Sequence, residues 1–369
     1  MSNELVGIAV LALVCILLTP YFKDTLNIYV EQPNRVFLKQ EYAKTSYPKK
    51  IVIHCDSFLP KTYAGSEVSA YETIRYLRSR GHSVSVMVNQ YYYSEFDGFP
   101  IYKMDKNDEY NLVKNCDVIF FQGASSNGML KLAQIYKKRC YVFVHVVQDH
   151  NWIIQQKMPF PVTVVYNSDY TASENPTIYN HFKMIPYVDT DKFKPLRNFT
   201  SGNTMVCLIN INRNKGSEVF HSLAKRMPHV QFLGVRGAYS KQDDEKEVPS
   251  NVLLIENQKD ITVVFKRIGI LIMPSLKETW GRTAVEAMAS GVVIIHSHAE
   301  GLVECVGGAG IVCDRDDEYA WVDAINKVQG DPAYKEQMRQ RGFNRTKEIE
   351  ILQDQGRQEL ARRIENEKL

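Results

Sequence analysis

The 369-residue chain has no C-x-x-C pair, no low-complexity tract and no marked charge excess. Each of these absences removes a class of function. Its seven cysteines, at positions 15, 55, 116, 140, 207, 305 and 313, are odd in number and scattered. That spacing suits neither a zinc site nor a dithiol redox motif, and it reads as reduced, mostly buried thiols. Lys and Arg total 45 against 42 Asp and Glu, so the basic footprint of a nucleic-acid binder is missing and no nucleic-acid partner is expected. The turn after the first strand reads Asp56-Ser57-Phe58-Leu59-Pro60 and lacks G-x-G-x-x-G, which argues against a nicotinamide oxidoreductase.

What is present begins with an unbroken apolar run, Leu5 to Leu18, extended by Thr19-Pro20-Tyr21-Phe22. As a helix, residues 5–22 reach ~27 Å, enough for a thin bilayer core. No Lys or Arg precedes the run and no small-x-small site follows it, so an uncleaved anchor is expected rather than a signal peptide. Lys23, Arg35 and Lys39 lie after it, a bias that puts the rest of the chain on the cytoplasmic side. A lumenal type II arrangement, with Asn198 and Asn344 as glycosylation acceptors, and a soluble cytoplasmic protein are the opposing expectations. The organisation expected is an anchor at 1–22, a tether at 23–47, two α/β domains at 48–193 and 194–332, and closing helices at 333–369.

Short β-branched runs alternate with amphipathic stretches from Lys50 onward, the pattern of a parallel sheet with crossover helices. Strands are expected at 51–54, 83–88, 118–121, 141–147, 162–166 and around Met184-Ile185. The plan restarts near Met205, with strands at 206–209, 230–233, 252–255, 270–273 and 292–295 and a helix from about Gly216 to Arg226. Two such units enclose a cleft at the carboxyl ends of their strands, and a ligand is expected there.

The stretch Pro274-Ser275-Leu276-Lys277-Glu278-Thr279-Trp280-Gly281-Arg282-Thr283-Ala284-Val285-Glu286-Ala287-Met288-Ala289-Ser290-Gly291 carries the most chemistry. A helix starting near Gly281 aims free N–H groups and its positive dipole end at the cleft, which suits a diphosphate. This frame, with Glu278 and Glu286, resembles P-S-x-x-E-x-x-G-x-x-x-x-E-A-M-A-x-G of the family 4 glycosyltransferases of the GT-B fold. The sequel Val292 to Ile295 and Glu300-Gly301-Leu302-Val303-Glu304 fits the same family. Asn210-Ile211-Asn212-Arg213-Asn214-Lys215-Gly216 resembles its phosphate-binding turn, with Lys215 in the lysine's place. Asn210 stands where the family has Arg, and Asn210 or Arg213 is the candidate to replace it. Pro60 to Glu67 resembles its glycine loop, with Gly65 alone as unrestricted backbone.

The resemblance implies two Rossmann-like domains facing across a cleft, the first on the acceptor side and the second binding the nucleotide sugar. It implies retaining transfer of a sugar from a UDP- or GDP-linked donor to a saccharide, lipid-linked or protein-linked glycan acceptor. Glu278 would position the sugar, Glu286 the ribose, and His145, at the end of a buried strand, the sugar hydroxyls, with Asp149 and His150 as competitors. Trp280, Gly281, Arg282 and Thr283 would complete the donor site. No metal or other cofactor is expected, since Lys215 and the helix N-terminus would carry the leaving-group charge. A non-catalytic nucleotide-sugar-binding subunit of the same fold is the alternative.

Overall fold

A computed structural model describes residues 43–122, 127–147, 151–237, 241–243 and 248–366. The expected anchor at 5–22, nearly all of the tether, and Asp149 and His150 lie outside the described residues. Among the described residues no helix is long and apolar enough to cross a membrane.

The first lobe contains β1 (Lys50–Cys55), α1 (Gly65–Ser79), β2 (Ser83–Val88), β3 (Glu95–Phe96), β4 (Phe99–Lys103), α2 (Lys106–Asn115) and β5 (Val118–Gln122). It continues through α3 (Asn127–Ile135), β6 (Arg139–Val144), α4 (Asn151–Gln155), β7 (Val162–Tyr166), α5 (Asp169–Glu174) and β8 (Asn180–Lys183). The sheet order is β3-β4-β2-β1-β5-β6-β7-β8, parallel except for β3. Its central strands are continuous apolar runs because both faces are covered: Ile51, Ile53 and Phe120 face one core, and Val52, Ile119 and Phe121 the other. In α1, Tyr71, Ile74 and Leu77 are buried along one face, and the helix stops where Gly81 turns to φ +99°.

The second lobe holds α6 (Arg197–Thr200), β9 (Val206–Ile209), α7 (Ser217–Arg226), β10 (Phe232–Val235), β11 (Val252–Ile255), α8 (Thr262–Phe265), β12 (Ile270–Met273) and α9 (Arg282–Ser290). It is completed by β13 (Val293–His296), α10 (Glu300–Val306), β14 (Ile311–Val312), α11 (Glu318–Gly330) and α12 (Pro332–Asn366). Its all-parallel order is β11-β10-β9-β12-β13-β14. That is the doubly wound order, with its reversal between β9 and β12. The α/β fold with two Rossmann-like sheets is therefore as expected.

Several boundaries move. The strand read at 230–233 lies at Phe232–Val235, because Val230 is buried in the core from the preceding turn, its N–H bonded to the Met227 carbonyl at 3.0 Å. Met184 and Ile185 are likewise core residues just beyond β8. β6 ends at Val144 rather than 147, which leaves His145 one residue past the strand. The β3–β4 hairpin was not foreseen; Asp97 (φ +51°) and Gly98 (φ +72°) form its two-residue turn.

In place of several closing helices, one 35-residue helix runs from 332 to 366. Met338 and Ile349 bury in the second lobe, while Leu360, Ala361 and Ile364 bury in the first. Between them Gln353 donates to the Pro186 carbonyl at 3.1 Å. At its end Glu365 takes two hydrogen bonds from Arg80, both 2.8 Å, and lies 3.1 Å from His82. The helix thus ties the two lobes together.

Candidate functional site

A cavity of about 240 Å³ opens at the carboxyl ends of β9 and β12, where the second sheet reverses order. Leu208 to Asn210 and Leu271 to Met273 form its floor, and Tyr63, Ala64 and Gly65 of the first lobe face it. Seven residues named from sequence line it: Gly65, Asn210, Lys215, Glu278, Gly281, Arg282 and Thr283.

Lys215 is held by a short turn after β9. Asn212 caps it, its side chain accepting from the Lys215 N–H at 3.0 Å, and Gly216 (φ +88°) leads into α7. A side chain at Gly216 would collide with Pro274, so glycine is required by space as well as by φ. Leu276 N–H bonds the Asn214 carbonyl at 2.8 Å and so couples this turn to the loop after β12. Within that coupling the Lys215 ammonium forms an ion pair with the Glu278 carboxylate, both side chains being largely buried.

α9 begins at Gly281 (φ +104°) with no side chain capping it, so its leading N–H groups remain available at the cavity wall. A Cβ at Gly281 would lie 2.7 Å from Leu302. Gly301 N–H bonds the Glu278 carbonyl at 3.1 Å, and any side chain at Gly301 would strike the backbone of Glu278 and Thr279. Glu278 is therefore positioned by backbone contact with α10.

The remaining named residues occupy other positions. Arg213 is exposed and does not line the cavity, whereas Asn210 does; a left-handed Asn (φ +70°) brings the chain around there. The Asn210 amide oxygen accepts from Asn212 at 2.8 Å and Gln242 at 3.2 Å. Glu286 and Trp280 sit behind the lining. Burial pushes the Glu286 carboxyl above its ordinary range while Arg282, 3.1 Å away, opposes that shift. Arg282 also donates to the Tyr187 carbonyl, so Glu286 orients a cation that does face the cavity. The Trp280 ring is buried, with only 3% exposed. The His145 ring stacks near Phe143, and it is the His145 carbonyl that meets the site, accepting from Thr279 at 2.6 Å and Asn167 at 3.2 Å.

Several supporting residues have a role that the sequence alone does not assign. Asn167 donates to both the His145 carbonyl and Thr279 Oγ1, the latter at 3.2 Å, and so links the two lobes beside Glu278. Glu304 of α10 accepts from the N–H groups of Asp169 (2.9 Å) and Tyr170 (3.1 Å), which begin α5 in the other lobe. Arg315 donates to the Pro274 carbonyl at 2.9 Å and pairs with Glu218, bracing the Lys215 turn against the Glu278 loop. The six described cysteines are free and buried, and burial pushes the Cys116 and Cys313 thiols up to about 11, so none is poised as a nucleophile.

Residues 188–345 match the family model described as glycosyl transferases group 1. Among curated proteins, D-inositol 3-phosphate glycosyltransferase of Corynebacterium urealyticum is 29% identical over 75 residues, 20% of this chain and 18% of that one. The capsular polysaccharide biosynthesis glycosyltransferase CapM of Staphylococcus aureus is 26% identical over 102 residues, 27% of this chain and 26% of its own. The chain thus spans only about a fifth to a quarter of the length of these relatives in alignment. Solved structures match far more broadly. Anabaena HepE, in complex with UDP and glucose, superposes with a TM-score of 0.69 at 16% identity, covering 85% of this chain and 99% of that one. WaaG, a glycosyltransferase involved in lipopolysaccharide biosynthesis, does so at 0.63 and 12%, covering 86% and 100%. At these identities the likeness establishes the fold. The match to the glycosyl transferases group 1 model thus falls on the second lobe, and the GT-B fold runs through both lobes.

Proposed function

We propose that this chain transfers a sugar, with retention of configuration and as a family 4 member, from a UDP- or GDP-linked donor to a saccharide, lipid-linked or protein-linked glycan. The observation that carries this reading is the meeting of Lys215, Glu278 and the uncapped start of α9 at one cavity, with the Gly65 loop opposite. As the bond from the sugar carbon to the diphosphate breaks, negative charge grows on the leaving oxygen. Lys215, Arg282 and the first amides of α9 supply positive charge at that place, so no metal is required. A diphosphate that takes Lys215 also releases Glu278, whose carboxylate then accepts from a hydroxyl of the donor sugar. The acceptor hydroxyl attacks on the face the diphosphate leaves, and its proton passes to the departing phosphate oxygen. In this reading Glu286 acts through Arg282, and His145 through Thr279.

UDP-glucose is the first donor to try, because HepE is seen with it. UDP is expected to raise the melting temperature of the intact chain, and Lys215→Ala to abolish that rise. Donor hydrolysis or transfer should fall about 10²- to 10³-fold in Lys215→Ala and in Glu278→Gln, and should persist in EDTA. Ligand binding without turnover in the unaltered protein would establish the non-catalytic alternative. We place the catalytic lobes in the cytoplasm behind an anchor at 5–22, and glycan attachment at Asn198 or Asn344 would reverse that topology.

A further inference from the structure

Three consecutive tyrosines follow β2, and all face solvent: Tyr91 is 39% exposed, Tyr92 53% and Tyr93 48%. Single exposed aromatics are ordinary, but a contiguous run on a fixed loop is a surface built to be covered. The loop is fixed at its base by Asp56. The Asp56 carboxylate accepts from Asn89 at 3.1 Å and from Gln90 at 3.0 Å, and its carbonyl accepts from the Gln90 N–H at 2.9 Å. β1 and β2 are parallel neighbours, so this loop and the one after β1 leave the sheet on the same side, the side that carries Gly65 to the cavity.

The loop after β1 is pinned as well. Phe58 and Leu59 are buried in the core, and Ser57 shares a 2.7 Å hydrogen bond with Thr62. It presents Lys61 over the Tyr92 ring, 4.4 Å from the centroid, and two residues later Tyr63, which lines the donor cavity. The tyrosine surface is thus continuous with the cavity edge through three residues of chain, a span of roughly 7 Å.

We propose that Tyr91, Tyr92 and Tyr93, with Lys61 at their border, form the platform on which the acceptor saccharide rests. Its role as acceptor rests on the transfer reading above. The chemistry fits a sugar: a tyrosine offers an apolar ring face to the C–H face of a pyranose and a hydroxyl to its rim, with few rotamers to freeze. It fits a membrane surface poorly, because residues 89–96 contain no aliphatic side chain, whereas interfacial segments set aliphatic side chains beside their cations. Lys61, already at the ring edge, adds a preference for acceptors that carry a carboxylate or phosphate.

The test is binding of the intact protein, with UDP present, to an array of neutral and acidic oligosaccharides. The unaltered chain should retain a subset of glycans. The combined Tyr91→Ala, Tyr92→Ala, Tyr93→Ala variant should bind that subset at least tenfold more weakly, and the corresponding triple Phe variant should recover most of the loss. Lys61→Ala should weaken acidic glycans more than neutral ones. The UDP-induced melting shift should be the same in all of them, which separates platform failure from donor-site failure. Glycan binding within twofold of the original in the triple Ala variant would overturn the proposal. So would an unaltered chain that binds no glycan, or tyrosine-dependent binding to phosphatidylcholine–phosphatidylglycerol vesicles instead. If glycan binding behaves as expected but UDP neither binds nor is released from UDP-glucose, the platform stands and the transfer reading falls.

Discussion

The two lobes share an architecture and differ in how they build their half of the cleft. In the second lobe the functional groups come from two short stretches, 210–216 and 274–283, each a strand end running through a glycine into a helix. In the first lobe the groups at the cleft come from segments far apart in the chain: Tyr63 to Gly65 line the cavity and the His145 carbonyl accepts from Thr279 and Asn167, with Tyr91 to Tyr93 the proposed addition. A diphosphate is small and densely charged, so one helix N-terminus and two nearby cations suffice and two short stretches can hold it. A saccharide is broad and neutral over most of its surface, and only several loops together can present enough area to it.

The sharpest way to break this comparison is at Gly301, which belongs to the second lobe but does not line the cavity. Gly301→Ala places a methyl against the Glu278 and Thr279 backbone, and nothing flexible is there to yield. Transfer is expected to fall tenfold or more, with a stability loss of about 1–3 kcal/mol, read by steady-state kinetics beside denaturant melts. Unchanged kinetics would mean that the Glu278 loop is not set by α10.

A smaller effect is expected at the junction of the lobes. Glu304→Ala removes the carboxylate that accepts from the first N–H groups of α5 in the other lobe, worth about 1 kcal/mol, and is expected to loosen the junction between the lobes by roughly fivefold. Small-angle scattering should show a less compact particle without UDP and recovery of the compact form when UDP saturates. Identical profiles for both proteins would remove Glu304 as a latch.

The smallest effect concerns α12, the tie between the lobes. Burial pushes the Glu365 carboxyl up, but the hydrogen bonds from Arg80 and His82 outweigh it and hold the group below its ordinary value. Its stabilising contribution is therefore present above the unfolded carboxyl pKa near ~4.3 and is lost as pH falls through the folded value. Glu365→Gln should cost roughly 1 kcal/mol at pH 7, and the difference should shrink as pH falls below the ordinary carboxyl range, measured as melting temperature against pH. A constant difference across that range would show that Glu365 acts through shape and not charge.

How much of this was legible in advance differs by lobe for the same reason. Lys215, Glu278 and Gly281 could be named because the two stretches that carry them resemble motifs of a known family, and each stretch is a strand-to-helix junction whose glycines are set locally by φ at Gly216 and Gly281. Arg213 lies in the same turn, yet it points outward and Asn210 faces the cavity. A three-residue 3₁₀ turn rotates neighbours to different sides, and composition does not record that rotation. His145 was named for its ring, but β6 stops one residue short and presents the carbonyl to Thr279.

By itself, the sequence determined the two parallel sheets, through continuous β-branched runs that need cover on both faces, and the second lobe's side of the cavity, through glycines and a helix start. The tertiary structure alone decided which cations face the cavity, that Arg282 reaches the Tyr187 carbonyl, that Glu304 caps a helix 135 residues earlier in the chain, and that α12 spans both lobes. Those contacts join residues with no regular spacing, and a pairing of that kind exists only once the chain has closed on itself.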